Sequence, residues 1–195
     1  MSMRTDRRKM IRQRILPASY ERLEYIENTS VAYIATGFTP DINSSFLYTF
    51  AYRIFNNDDC FGVGSYGRGW GLHTHNIGNI GYTFGYDLQV HINNDNRKHS
   101  FGLIGNQVIY DGKAISTFTR ASLDKTWPLL IFCPHVSSPD HFQRQLVYGL
   151  KLWDGDTLVH DFIPVRCRSD GVIGMYDLVG RLFYTSPNGV EFKGG

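Results

Sequence analysis

The chain has 195 residues, 42% of them hydrophobic, with 20 Lys and Arg against 18 Asp and Glu. That apolar share supports a buried core and excludes wholesale disorder, and the length suits one domain with an appendage. The longest apolar run, 127–133, is interrupted by Pro128 and falls far short of the roughly 20 residues that span a bilayer, so membrane insertion is not expected.

Charge is unevenly placed. Residues 1–16 hold Arg4, Arg7, Arg8, Lys9, Arg12 and Arg14 against Asp6 alone, a net +5, which leaves 14 basic and 17 acidic side chains for the rest. The domain at 17–195 is therefore mildly acidic, which argues against a basic groove for specific nucleic-acid binding. No apolar h-region follows the basic start, so no signal peptide is expected, and the sequons at Asn28 and Asn43 read as chance matches. The arm at 1–16 suits a disordered leader, an anchor that folds on a partner, or weak salt-sensitive contact with nucleic acid or a membrane surface.

Beyond Pro17 the pattern predicts strands at 22–27, 31–36, 45–54, 60–66, 69–74, 80–84, 88–92, 100–104, 107–110, 128–133, 145–153, 157–163, 172–176 and 182–184. They are short, rich in Val, Ile, Tyr and Phe, and divided by Gly, Asn, Asp or Pro. Phe46, Tyr48, Phe50 and Tyr52 alternate with other residues and predict one aromatic face packed in a core. Asp111-Gly112, Asp170-Gly171 and Asn188-Gly189 are turn formers. Only 120–125 offers a short helical stretch within the domain. Strands without βαβ alternation mean an all-β sandwich, jelly roll or barrel. Cys60, Cys133 and Cys167 are odd in number and lack CxxC spacing, so reduced thiols are expected.

Several chemistries can be weighed by spacing. Gly62 to Gly67 matches GxGxxG, but a glycine-rich β pattern follows where a helix is needed, so dinucleotide binding is excluded. Glu21, Glu24 and Glu27 are the nearest approach to a glycanase carboxylate set, and alternation puts Glu24 on the opposite face from the other two. His73 and His75 share a strand face and suit one transition metal, alone or across a trimer axis. The stretch 66–76 mixes aromatic rings with polar groups, and Tyr66, Arg68, Trp70, His73, His75 and Asn76 form the candidate glycan site.

Two segments carry a resemblance. The opening runs Leu16-Pro17-Ala18-Ser19-Tyr20-Glu21-Arg22-Leu23-Glu24-Tyr25-Ile26-Glu27, followed by Tyr33-Ile34-Ala35-Thr36-Gly37-Phe38. The closing runs Lys151-Leu152-Trp153-Asp154 into Leu158-Val159-His160-Asp161-Phe162-Ile163-Pro164, then Gly171-Val172-Ile173-Gly174-Met175-Tyr176-Asp177-Leu178 and Phe183-Tyr184. Together they resemble the concanavalin A-like (laminin G-like) jelly-roll domains of tailed phages and prophages of gut bacteria. His160 stands where that family usually has Arg.

The resemblance implies a concanavalin A-like β-sandwich with a short basic N-terminal arm. It also implies a virion structural protein (head decoration, fibre or tail component), likened to a lectin that adheres to host-surface glycan. The arm at 1–16 would meet capsid or tail proteins, and the protein would be a homo-oligomer without enzymatic activity. The oxygen-rich loop bearing Asp58 and Asp59 resembles those that hold Ca²⁺ in laminin G-like domains. A bacterial or prophage-encoded carbohydrate-binding module with no virion role is the alternative, and a glycanase the third. Physically, the two motifs read as architecture: the opening as a first hairpin pairing with the closing strands, Asp161 and Asp177 as turn caps.

Overall fold

The computed structural model describes residues 15–28, 30–52, 59–63, 69–75, 79–85, 87–91, 96–123, 128–133 and 145–195. The basic arm residues Arg4, Arg7, Arg8, Lys9, Arg12 and Arg14 lie outside them. Seventeen strands follow in chain order: β1 (Tyr20–Arg22), β2 (Ile26–Glu27), β3 (Ile34–Ala35), β4 (Ser44–Tyr52), β5 (Asp59–Val63), β6 (Trp70–His75), β7 (Asn79–Phe84), β8 (Asp87–His91) and β9 (His99–Ile104). The others are β10 (Gln107–Tyr110), β11 (Lys113–Thr117), β12 (Leu130–Ile131), β13 (Gln145–Asp154), β14 (Thr157–Cys167), β15 (Ile173–Asp177), β16 (Leu182–Tyr184) and β17 (Lys193–Gly194). No described residue is helical, so the predicted turn of helix is absent at 120–123.

Two antiparallel sheets form a β-sandwich of the jelly-roll class. The larger runs β11-β10-β9-β4-β13-β14-β15-β16, and the smaller runs β3-β12-β5-β6-β7-β8. The predicted aromatic stripe holds at Phe46, Tyr48 and Phe50, each fully buried, while the side chain of Tyr52 lies outside the described residues. The three buried rings share one core with Trp70, Leu72, Tyr82 and Phe84 of the smaller sheet. Phe46 meets Trp70 edge-on, ring centroids 5.0 Å apart, and Tyr82 lies 5.8 Å from Phe101. Burial of such rings is the main source of stability in a sheet-on-sheet core.

The opening motif does not form the expected hairpin with 31–36. Its expected pairing with the closing strands does hold: β1 pairs with the end of β14, and β2 pairs with the start of β13. β13 and β14 pair with each other only at their other ends, Leu150–Asp154 and Thr157–Phe162. Between them opens a notch, which residues 20–27 fill as two short strands joined across Leu23, 8% exposed. β17 then pairs with β2, and the amides of Glu24 and Tyr25 donate to the carbonyl of Gly195. The two ends of the described chain are thereby knitted into one sheet. β3 pairs in the smaller sheet, with β12.

On the other face of the larger sheet lies a smaller apolar patch of Ile163, Val165 and Tyr176, covered by Leu16, Tyr20, Leu178 and Phe183. Tyr20 stacks at 4.9 Å from Tyr176 and 5.3 Å from Phe183. Nearby, an added Cβ at Gly174 would stand 2.1 Å from the Tyr184 carbonyl oxygen and 2.9 Å from the Phe183 ring. Gly174→Ala must push β16 away, and we expect a loss of about 2 kcal/mol in a urea melt; an unchanged midpoint would contradict this packing.

Candidate functional site

Of the candidate site in 66–76, the residue whose side chain is described, Trp70, does not face solvent as the composition predicts. Trp70 is 1% exposed, with Phe46 against its edge and Phe38 at 6.2 Å. β6 pairs Trp70 with Val63 and Phe84, and alternation sends 70 and 72 into the core together. A ring sealed on both faces cannot stack on sugar, so Trp70 is corrected from ligand contact to core. His73 and His75 occupy positions of one parity in β6, opposite Gly81 and Asn79, and Asp59 pairs with His73. The side chains of these three residues, and the whole of Asp58, Tyr66, Arg68 and Asn76, lie outside the described residues. Among the described residues no group of three or more His, Cys, Asp or Glu is placed to hold a metal ion.

Glu21, Glu24 and Glu27 are split between β1, the crossing and β2. Glu21 pairs with Arg166 at 3.2 Å.

Asp177 is a hub. It is fully buried, and its Oδ1 accepts the amides of Asp161 (2.9 Å) and Val179 (3.0 Å). Its Oδ2 accepts the Gly180 amide (3.0 Å) and meets His160 Nδ1 at 2.7 Å. His160 is held in turn by its stack on Phe162, 5.2 Å away. The turn-capping role read from sequence is therefore correct for Asp177. Asp161 has another role: its carboxylate stands 3.8 Å from Lys151 Nζ. This cluster closes the β15–β16 turn.

Among the described residues, two open concavities stand out. The first, about 420 Å³, lies beside Asp170, Thr185, Ser186 and Glu191. Its aromatic residue Phe192 is 4% exposed and turned against Phe132. Asp170 is already engaged with the Val172 amide, which holds its carboxyl below the ordinary carboxylate pKa.

The second concavity, about 390 Å³, includes Asn43, Ser45, Ile104, Arg120, Trp153 and Asp156. It lies at one rim of the larger sheet, where three turns meet. Asp41 shapes the first turn by accepting the Asn43 amide at 2.8 Å, and the Gly155 amide donates to the Asn43 carbonyl at 3.3 Å. Arg120 ties the turns together. Its Nε donates to Gly105 O (3.0 Å), its Nη1 to Ile42 O and its Nη2 to Ser45 Oγ (3.0 Å). The guanidinium also lies over the Phe84 ring at 5.3 Å. Burial lowers its pKa and Asp41 opposes that fall, but an arginine remains cationic at neutral pH. Trp153 is half-buried, while Ile42 and Ile104 are 45% and 39% exposed. An aromatic face, the aliphatic Ile104 and the polar Asn43 and Asp156 around one hollow suit a small hydroxylated ligand.

Sequence reading missed this site because Trp153 closes a strand inside the folding motif. The available signal was an exposed-type Asp154-Gly155-Asp156 turn directly after a tryptophan.

No family model matches the chain, and no curated protein matches it. A solved structure from Bacteroides ovatus ATCC 8483, described as a "putative carbohydrate binding protein", is similar over 89% of this chain, with a TM-score of 0.60 and 12% identity. The chain spans 60% of that protein's length. The likeness is one of fold and agrees with the jelly-roll sandwich described above.

Proposed function

We propose that this chain is a non-catalytic, lectin-like glycan-binding sandwich, displayed on a phage particle through its basic arm. The glycan half is carried by the likeness of the sandwich to a protein described as carbohydrate-binding. The rim hollow with Trp153 adds the chemistry sugar sites use, apolar ring faces beside hydrogen-bonding groups. The reading is a non-catalytic one: glycoside hydrolysis needs two carboxylates about 5–9 Å apart across the bond, and Glu21, the first of the candidate set, is engaged with Arg166. A glycan array probed with the purified full chain should show a defined set of bound sugars; silence across the array would overturn the reading.

The virion half rests on the opening and closing motifs and on the +5 arm. Display in many copies, as a homo-oligomer or on a symmetric particle, multiplies weak sugar contacts into firm adhesion to host-surface glycan. Mass spectrometry of purified particles should find the chain at fixed stoichiometry, and deletion of residues 1–14 should abolish incorporation without touching glycan binding. The second reading, a bacterial or prophage-encoded carbohydrate-binding module, is favoured by the bacterial origin of the structural neighbour. Absence from particles together with retained glycan binding selects it.

A further inference from the structure

We propose that the rim hollow is the glycan site, and that it takes a single neutral pyranose between Trp153 and Ile104 with its hydroxyls on Asp156 and Asn43. The inference rests on the glycan-binding reading and adds to it a site and a ligand class.

The sheet register makes the slot. Ser45 of β4 stands directly opposite Trp153 of β13. On the other side of β4, Phe46 pairs with Leu103, and Ile104 follows it. Leu103, Phe46 and Leu152 are fully buried in the core, so alternation turns Ile104, Ser45 and Trp153 to the outward face. A small residue thus lies between two large ones. Two strand spacings, roughly 9–10 Å, separate the flanking backbones, which sets the width for one ring over a floor made by Ser45 and the Arg120 guanidinium that covers it. Between β13 and β14 the register shifts at Leu152/Trp153, the kind of bulge that re-aims a side chain at a sheet rim.

Charge selects the class. Arg120 is the cation of the hollow, but three of its nitrogens already donate to Gly105, Ile42 and Ser45. It sets the shape of the floor instead of seeking an anion. Asp156 is exposed at the mouth, and its carboxylate accepts hydroxyl protons while repelling an acidic sugar. The Asn43 side-chain amide stands beside it, with one Nδ2 hydrogen directed at Asp41 Oδ2 at 3.5 Å and a second N–H to donate.

The test is isothermal titration calorimetry of the full chain with methyl glycosides of glucose, galactose, mannose and N-acetylglucosamine, and with methyl glucuronide as the acidic probe. Wild type, Trp153→Ala and Asp156→Asn are compared, with melting curves for each. At least one neutral glycoside should give a binding isotherm with the wild type. Trp153→Ala should weaken binding about tenfold or more, the worth of one aromatic face. Asp156→Asn, an exposed turn change that keeps shape, should weaken it with an unchanged melting midpoint. Undiminished binding in Asp156→Asn and in folded Trp153→Ala would remove the site from this hollow and leave the glycan reading intact. Preference for the glucuronide would overturn the neutral class. No binding heat from any glycoside, with silence on the array, would overturn both.

Discussion

Asp177→Ala should lower the thermal midpoint by roughly 10 °C, reflecting a loss of about 4 kcal/mol at 2–4 °C per kcal/mol for a chain of this size. The carboxylate is 0% exposed and receives three backbone amides and one imidazole. Alanine strands those donors, and each buried unpaired group costs about 1–3 kcal/mol. The Asp161 amide carries most of the penalty because its residue is itself buried, while Gly180 is exposed and can turn to water. Even the glycine is fitted to the acid: a Cβ at 180 would stand 2.6 Å from Asp177 Oδ2. Differential scanning fluorimetry measures the change, and a midpoint within 2 °C of wild type would show the cluster to be dispensable.

The same carboxylate makes stability depend on acid. Burial alone would raise the Asp177 pKa, but the bonds from His160 and from the Asp161 and Val179 amides outweigh it and bring it below the ordinary value. The unfolded chain therefore binds a proton more readily than the folded one. The stabilisation is fully present above the unfolded value of about 4 and disappears as pH falls through the lower folded value. Exposed Asp170 shifts in the same direction through the Val172 amide, so the comparison must be with Asp177→Asn. That variant should show a shallower loss of stability between pH 4 and pH 2 than wild type.

Much of the fold was legible because buried strands advertise themselves. The alternation of Phe46, Tyr48 and Phe50 gave the core face of β4 directly, and Asp111-Gly112 gave a hairpin whose two residues both have positive φ, 47° and 75°. β11 escaped because Lys113–Thr117 is exposed at every position, and an edge strand wetted on both sides shows no period of two. The opening motif looked like one strand because nothing local announces that the chain leaves β14 for β13 at Leu23. The hollow was beyond reach for a related reason. Ser45, Ile104, Arg120 and Trp153 meet through register across three turns, and no short window contains more than one of them. By contrast, 66–76 looked like a site because its aromatic and polar residues are close in sequence. Yet Trp70-Gly71-Leu72 already carried the apolar alternation of a core strand.

Trp70→Ala should therefore destabilise by about 4 kcal/mol, within the 3–5 kcal/mol range for a buried aromatic truncated to alanine. The ring is among the largest fully buried side chains, and its removal leaves a void between Phe46 and Phe38 that a β-sandwich closes only partly. Trp70→Phe keeps an aromatic edge against Phe46 and should recover about half of that loss. Glycan affinity of the folded fraction should not change in either variant, because the indole reaches no ligand. A surface stacking residue would behave in the opposite way, losing affinity with no change in melting. If Trp70→Ala melts like wild type and fails on the glycan array, the burial described here is wrong and the sugar binds at 66–76. A large fall in midpoint with intact affinity in Trp70→Phe leaves Trp153 as the tryptophan placed to meet a sugar ring among the described residues.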